Sequence, residues 1–148
     1  MTGWRIGWVR IHPSLQQVFE NLVQYSTSGV AQFMQRGAVA ALDEGDDFVK
    51  EQVERARQGR DIVCDILADT GRVRIAIPQG SFYLFFAIEG VDDTTKAAID
   101  IVDKARVGLA PGTAFGPGGE RFFRLCFNRS LDQLEEAANR LANWIRAR

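Results

Sequence analysis

The sequence predicts an α/β fold of the mixed α+β kind, a small α+β domain preceded by a strand and helices. Three observations carry that reading. Through the first half, apolar and small residues recur at three- and four-residue spacing, the mark of helix faces. Past Gly71 the texture changes to period-two runs such as Phe82-Tyr83-Leu84-Phe85-Phe86 and Phe122-Phe123-Arg124-Leu125, the mark of strands. Helical patterns are interleaved with those strands and close the chain, which suits a sheet carrying helices.

Taken in order, residues 3–11 are expected to form a buried strand ended by His12-Pro13, and Pro13 suits the first turn of a helix running to about Leu22. Residues 24–29 are a polar break. Residues 30–42 carry Ala31, Met34, Ala38, Ala41 and Leu42 at helical spacing with little charge, so a well-buried helix is expected. Asp43-Glu44-Gly45-Asp46-Asp47 gives acidic capping character to a long helix in which Val49, Val53, Ala56, Val63 and Leu67 share one stripe. Lys50, Glu51, Glu54, Arg55 and Arg57 form its solvent face. Gly59-Arg60 interrupts the stripe, and a mid-helix glycine costs about 1 kcal/mol relative to alanine, so a bend or break is expected there.

Beyond Gly71, residues 72–77 and 81–88 read as strands separated by Pro78-Gln79-Gly80, followed by a helix over 94–107 and a short strand over 107–110. A glycine-rich turn fills 111–119 and a strand 122–127. Ser130 is expected to cap a final amphipathic helix bearing Leu131, Leu134, Ala138, Leu141 and Ile145, with Gln133 completing a capping box. The boundary between the two parts is placed near residues 43–47, dividing 1–45 from 46–148.

Composition narrows the class of function. At 148 residues and 46% hydrophobic the chain can bury one sizeable core. With 18 basic and 19 acidic residues the net charge is -1, so no overall field draws nucleic acid or anionic lipid, and neither is expected as a partner. No apolar run reaches the roughly 18 to 20 residues of a membrane span, and a cytoplasmic location is expected. Cys64 and Cys126 sit in apolar surroundings and are expected to be reduced. A single histidine, His12, argues against a histidine-rich metal site, so no metal is expected.

Two arginines stand out chemically. In an extended Thr2-Gly3-Trp4-Arg5-Ile6-Gly7, Arg5 shares its face with Gly3 and Gly7 alone. Bare backbone on both sides leaves room for an anion to approach a bidentate guanidinium fork. On 122–127, Arg124 shares its face with Phe122 and Cys126. Burying an unpaired cation costs several kcal/mol, so its partner is either an internal Asp or Glu or an external anion. The run Pro111 to Glu120 lacks the ending of a phosphate-binding loop. It is either a turn that lets backbone approach a ligand or a plain structural loop.

The first segment resembles the stretch just after the cofactor lysine in class I/II pyridoxal-phosphate aminotransferases of fold type I. Pro111-Gly112-Thr113-Ala114-Phe115-Gly116-Pro117-Gly118-Gly119-Glu120 with Phe123-Arg124-Leu125 is similar to that family's C-terminal motif. The resemblance implies that Arg5 contacts the phosphate of pyridoxal 5'-phosphate and that Arg124 binds the substrate α-carboxylate. It also implies that the Schiff-base lysine falls upstream of Met1, so no catalytic residue is expected in this chain. Tyr25-Ser26-Thr27-Ser28 resembles a loop reaching toward the other subunit's cofactor in family dimers, which makes Tyr25 a substrate-site candidate and a homodimer the expected assembly. Dicarboxylate-specific members carry an arginine three positions earlier, where this chain has Leu22. Pro78 to Phe85 resembles the family's glycine-aromatic strand, whose aromatic residues are taken as core.

Together these imply the C-terminal portion of an aminotransferase that acts on an amino acid and a 2-oxo acid. Residues 1–45 would be the tail of the large cofactor-binding domain, and 46–148 the interdomain helix and small domain. Alone, such a chain is expected to be inactive, and its apolar segment 3–42 to self-associate or be disordered. The competing readings are a non-catalytic aminotransferase-like regulatory module and a related lyase or decarboxylase using the same cofactor.

Overall fold

In the computed structural model, which describes residues 1–148 apart from the side chain of Thr2, the chain separates into two units, Met1–Glu51 and Gln52–Arg148. Each has its own architecture.

In the first unit, a single 3-10 turn over Thr2–Trp4 is followed by irregular backbone, a second such turn at Pro13–Leu15, and helices α1 (Gln16–Ser26) and α2 (Gln32–Glu44). His12 caps the 3-10 turn Pro13–Leu15 that leads into α1, its Nδ1 accepting from the backbone N–H of Ser14 at 3.3 Å. The strand expected over 3–11 does not form, and Trp8 is 78% exposed. A strand is held by ladder hydrogen bonds to a neighbour, and every strand of the sheet comes from the other unit. Apolar content therefore signals a face wanting cover here, not a paired strand. The same reason corrects the expectation for α2, none of whose residues is buried.

Helix α3 (Asp46–Ala68) begins in the first unit with Asp46 and Asp47 at its positive N-terminal end and continues into the second. It passes Gly59 without the expected break. Gly59 is there because a Cβ would lie 2.7 Å from both Leu134 Cδ1 and the Phe127 carbonyl oxygen, so the glycine permits close packing. The apolar stripe is only half used: Val63 and Leu67 are buried, whereas Val49 and Val53 are exposed.

The second unit is built on a four-stranded antiparallel sheet in the order β1-β2-β4-β3, with β1 Val73–Ile75, β2 Tyr83–Ile88, β3 Ala110–Pro111 and β4 Phe122–Cys126. Alternation decides the faces. Leu84, Phe86, Ile88, Phe123 and Leu125 are buried on one face, packed with the C-terminal half of α3, α4 (Thr94–Ala105) and α5 (Leu131–Arg146). These helices supply Val63, Leu67, Ile101, Leu141 and Ile145, each no more than 1% exposed. At about 25 cal/mol per Å² of apolar area, each such side chain contributes about 1.5–3 kcal/mol before entropy is counted.

Polar links fix the helices. Trp144 Nε1 donates to Asp100 at 2.8 Å, joining α5 to α4, and Arg72 donates to the Ile145 carbonyl near the end of α5 at 3.0 Å. Asp93 caps α4 by accepting from the Lys96 amide at 3.0 Å. Ser130 occupies the N-cap of α5 but its side chain makes no capping hydrogen bond, so the expected capping box is absent. Neither cysteine is in a disulfide; burial, the largest influence on Cys64, pushes its thiol up. No helix among the described residues is long and apolar enough to cross a membrane.

Candidate functional site

The open face of the sheet holds the second unit's candidate site. Arg124 projects from β4 on the side opposite Phe123 and Leu125, with Phe85 of β2 and Ala110 of β3 as its cross-strand partners. Its guanidinium carbon lies 4.1 Å from the Tyr83 ring centroid and 4.0 Å from that of Phe115. Phe85 stacks on Phe122 at 4.9 Å and 8°, and meets Phe115 edge-on at 6.3 Å and 80°. The aromatic residues between 82 and 85 are therefore not core: Phe82 and Phe85 are exposed, and Tyr83 is half-buried on the open face. Leu84 and Phe86, on alternate positions, take the core role instead.

The internal ion pair that was one alternative for Arg124 does not form among the described residues. The ion pairs there are made by Lys50, Arg57, Arg60, Lys96, Lys104, Arg121, Arg140 and Arg146, never by Arg124 or Arg5. Arg124 is nonetheless half-buried. Two ring faces stand where an acid was one possibility, and a guanidinium over aromatic rings gains about 0.5–2 kcal/mol per contact.

Phe115 is delivered by the glycine-rich loop, which is a built structure and not a slack connection. Gly112 and Gly119 pass so close that a Cβ on either would overlap the carbonyl oxygen of the other. The buried Thr94 hydroxyl donates to the Glu120 carbonyl at 2.9 Å, tying the loop to the start of α4. The Glu120 carboxylate accepts from the Gly118 amide at 3.1 Å. Hydrogen bonds from its own amide and from Gly118 hold that carboxyl below its ordinary range.

In the first unit, Arg5 is exposed and follows the 3-10 turn with left-handed backbone, φ 49° and ψ 43°. The one-face alternation of Gly3, Arg5 and Gly7 is not realised, since it needs extended backbone. The space a Cβ would take at Gly3 and Gly7 has nothing within 4 Å. An exposed guanidinium with no internal acid and open glycine flanks fits a phosphate group chemically. Tyr25 lies in the last turn of α1, not in a loop, and is 90% exposed. Arg5 and Tyr25 belong to one unit and Arg124 to the other.

The three lysines occupy unrelated positions. Lys50 pairs with Asp47 at 2.8 Å, Lys96 with Asp93 at 3.4 Å and Lys104 with Asp100 at 2.7 Å, all on exposed helix faces. The donor set thus suits the phosphate end of pyridoxal phosphate and offers no desolvated amine for its aldehyde. Among the described residues no cluster of His, Cys, Asp and Glu could hold a metal ion. Sequence reasoning missed Tyr83 and Phe115 as neighbours of Arg124. The signal available was alternation, which sets Tyr83 and Phe85 opposite Leu84 and Phe86.

Sequence and structure comparisons define the class. Residues 1–141 match the family of class I and II aminotransferases. The LL-diaminopimelate aminotransferase of Desulforudis audaxviator is 36% identical over 145 residues, a match covering 98% of this chain and 37% of that protein. The aspartate aminotransferase of Pyrococcus horikoshii is 33% identical over 144 residues, covering 95% of this chain and 37% of its own length. In structure, an aromatic aminotransferase from Pyrococcus horikoshii superposes with a TM-score of 0.91 at 28% identity, covering 99% of this chain and 40% of that one.

The chain belongs to the class I and II aminotransferase family and has the mixed α/β architecture of fold-type I members. It spans about 37% of the length of the curated relatives it matches.

Proposed function

We propose that this chain is the C-terminal portion of a pyridoxal-phosphate-dependent aminotransferase that moves an amino group between an amino acid and a 2-oxo acid. Residues 1–45 are the tail of its large domain, and 46–148 are the interdomain helix and small domain. The observation that carries the reading is Arg124: a half-buried cation on an open sheet face, in no ion pair among the described residues and with two rings against it.

In this role the Arg124 fork takes the substrate α-carboxylate through two parallel charge-assisted hydrogen bonds, which fixes the orientation of the substrate's α-carbon. Arg5 takes the cofactor phosphate, with Gly3 and Gly7 leaving it room. Tyr25, at the end of α1, reaches toward the substrate site across a homodimer. Bound pyridoxal phosphate supplies the electron sink that lets a proton leave the substrate α-carbon. The lysine that moves this proton lies outside residues 1–148, because Lys50, Lys96 and Lys104 are each held in surface ion pairs. Two unpaired cysteines suit action in the reducing cytoplasm.

Complementation tests this. The 148-residue chain given an amino acid, pyruvate and pyridoxal phosphate is expected to produce no alanine. Co-production with a polypeptide carrying the lysine-bearing large domain is expected to restore turnover and a cofactor lysine trapped by borohydride. Turnover by the chain alone, with Lys50, Lys96 or Lys104 trapped, contradicts the reading.

A further inference from the structure

We propose that Phe115 and Tyr83 are positioning residues for Arg124, a two-ring clamp that holds the guanidinium so that only its edge is open to a carboxylate. The inference rests on Arg124 as the carboxylate anchor and goes beyond it by assigning two residues that act through the arginine.

All five N–H donors of a guanidinium point outward in its own plane, while its two faces are weakly hydrated and stack on aromatic rings. The carbon of the Arg124 guanidinium is 4.0 Å from one ring centroid and 4.1 Å from the other, both within stacking range. Rings at that distance displace water from the faces without competing for the in-plane donors. An Asp or Glu in their place would occupy the donors that a substrate needs.

The clamp is braced on both sides. Tyr83 belongs to β2, where its neighbours Leu84 and Phe86 are fully buried, so the backbone beneath it is fixed. Phe115 is 45% exposed, on the open face of the sheet. It is kept there by the edge of Phe85, by the Gly112–Gly119 crossing and by the Thr94–Glu120 hydrogen bond. Removing either ring frees the arginine to sample rotamers, and each rotamer-rich side chain must then be ordered again on binding.

The test is a titration of the 148-residue chain with pyruvate, followed by NMR of the arginine side-chain N–H groups. In the wild type, the Arg124 side-chain protons are expected to be shifted upfield by ring current and to respond saturably to pyruvate. Phe115→Leu is expected to abolish most of the upfield shift and to weaken binding about tenfold, the size of one cation–ring contact. Phe115→Tyr is expected to restore both to within about twofold. Tyr83→Leu with Tyr83→Phe repeats the comparison should Phe115→Leu not fold.

If Phe115→Leu and Tyr83→Leu bind pyruvate as wild type does while Arg124→Lys does not, the clamp is wrong and the carboxylate anchor stands. If Arg124→Lys binds as wild type does, or the wild type shows no saturable response, the anchor falls and the clamp with it.

Discussion

The two units share one composition style and differ in what their apolar residues achieve. In Gln52–Arg148 the large apolar side chains of the inner sheet face are buried together with one stripe of each facing helix, with Phe86, Phe123, Leu141 and Ile145 at 0% exposure. In Met1–Glu51 the helices α1 and α2 bury nothing, and Trp8, Leu22, Tyr25, Phe33 and Leu42 are all more than half exposed. Amphipathic patterning is present in both. What differs is a second layer, which the sheet provides in one unit and nothing provides within the other. Patterning marks the face that wants cover, and cover decides whether that face stabilises.

The sharpest way to break this comparison is to truncate one phenylalanine in each unit. Phe123→Ala removes a fully buried ring from the centre of the sheet and is expected to destabilise by about 3–5 kcal/mol. Phe33→Ala, at 69% exposure, is expected to change stability by no more than about 0.5 kcal/mol. Urea denaturation monitored by circular dichroism measures both, and equal losses would show that the first unit has a core of its own.

A pair of glycines sharpens it further, because the same substitution should act with opposite signs. Gly59→Ala gains helix propensity but drives a Cβ to 2.7 Å from the Phe127 carbonyl oxygen, a backbone atom with little freedom to move. A net loss of about 1–3 kcal/mol is expected from that overpacking. Gly37→Ala, in α2, meets nothing closer than the Met1 side chain at 3.4 Å and is expected to raise helix stability by about 0.5–1 kcal/mol. Thermal melts of the two variants check the signs.

The smallest effect is electrostatic and confined to the second unit. Hydrogen bonds from Lys104 first, and then from Trp144, hold the Asp100 carboxyl below its ordinary value of 3.8. A carboxyl depressed on folding stabilises fully above its unfolded pKa and loses that contribution as pH falls through the folded one. The link between α4 and α5 should therefore persist to below pH 3.8 and loosen only under more acidic conditions. Trp144 fluorescence during acid titration follows it, and the transition should vanish in Asp100→Asn.

Local pattern made much of the second unit legible in advance. Period-two alternation located β2 and β4, though not which of their faces is buried, and the spacing of Leu134, Ala138, Leu141 and Ile145 located α5. The strand assigned to 3–11 failed because pairing is a property of neighbours, and an apolar run cannot announce that it lacks one. Gly59 misled for a related reason: propensity weighs against glycine, whereas the close passage of Phe127 and Leu134 is a tertiary fact. At the candidate site, Arg124 was visible as a cation among apolar residues. Its two rings were not, since Phe115 arrives from a loop and Tyr83 from a strand some forty residues away, and only the β2–β4 pairing puts them on one face.

Under the proposed function, the most direct test of Arg124 as the carboxylate anchor is kcat/KM for the amino acid when this chain is combined with a lysine-bearing large domain, comparing wild type with Arg124→Lys. A fall of at least about a hundredfold, with cofactor absorbance intact, is expected from replacing a bidentate fork by a point charge. An unchanged kcat/KM would contradict it.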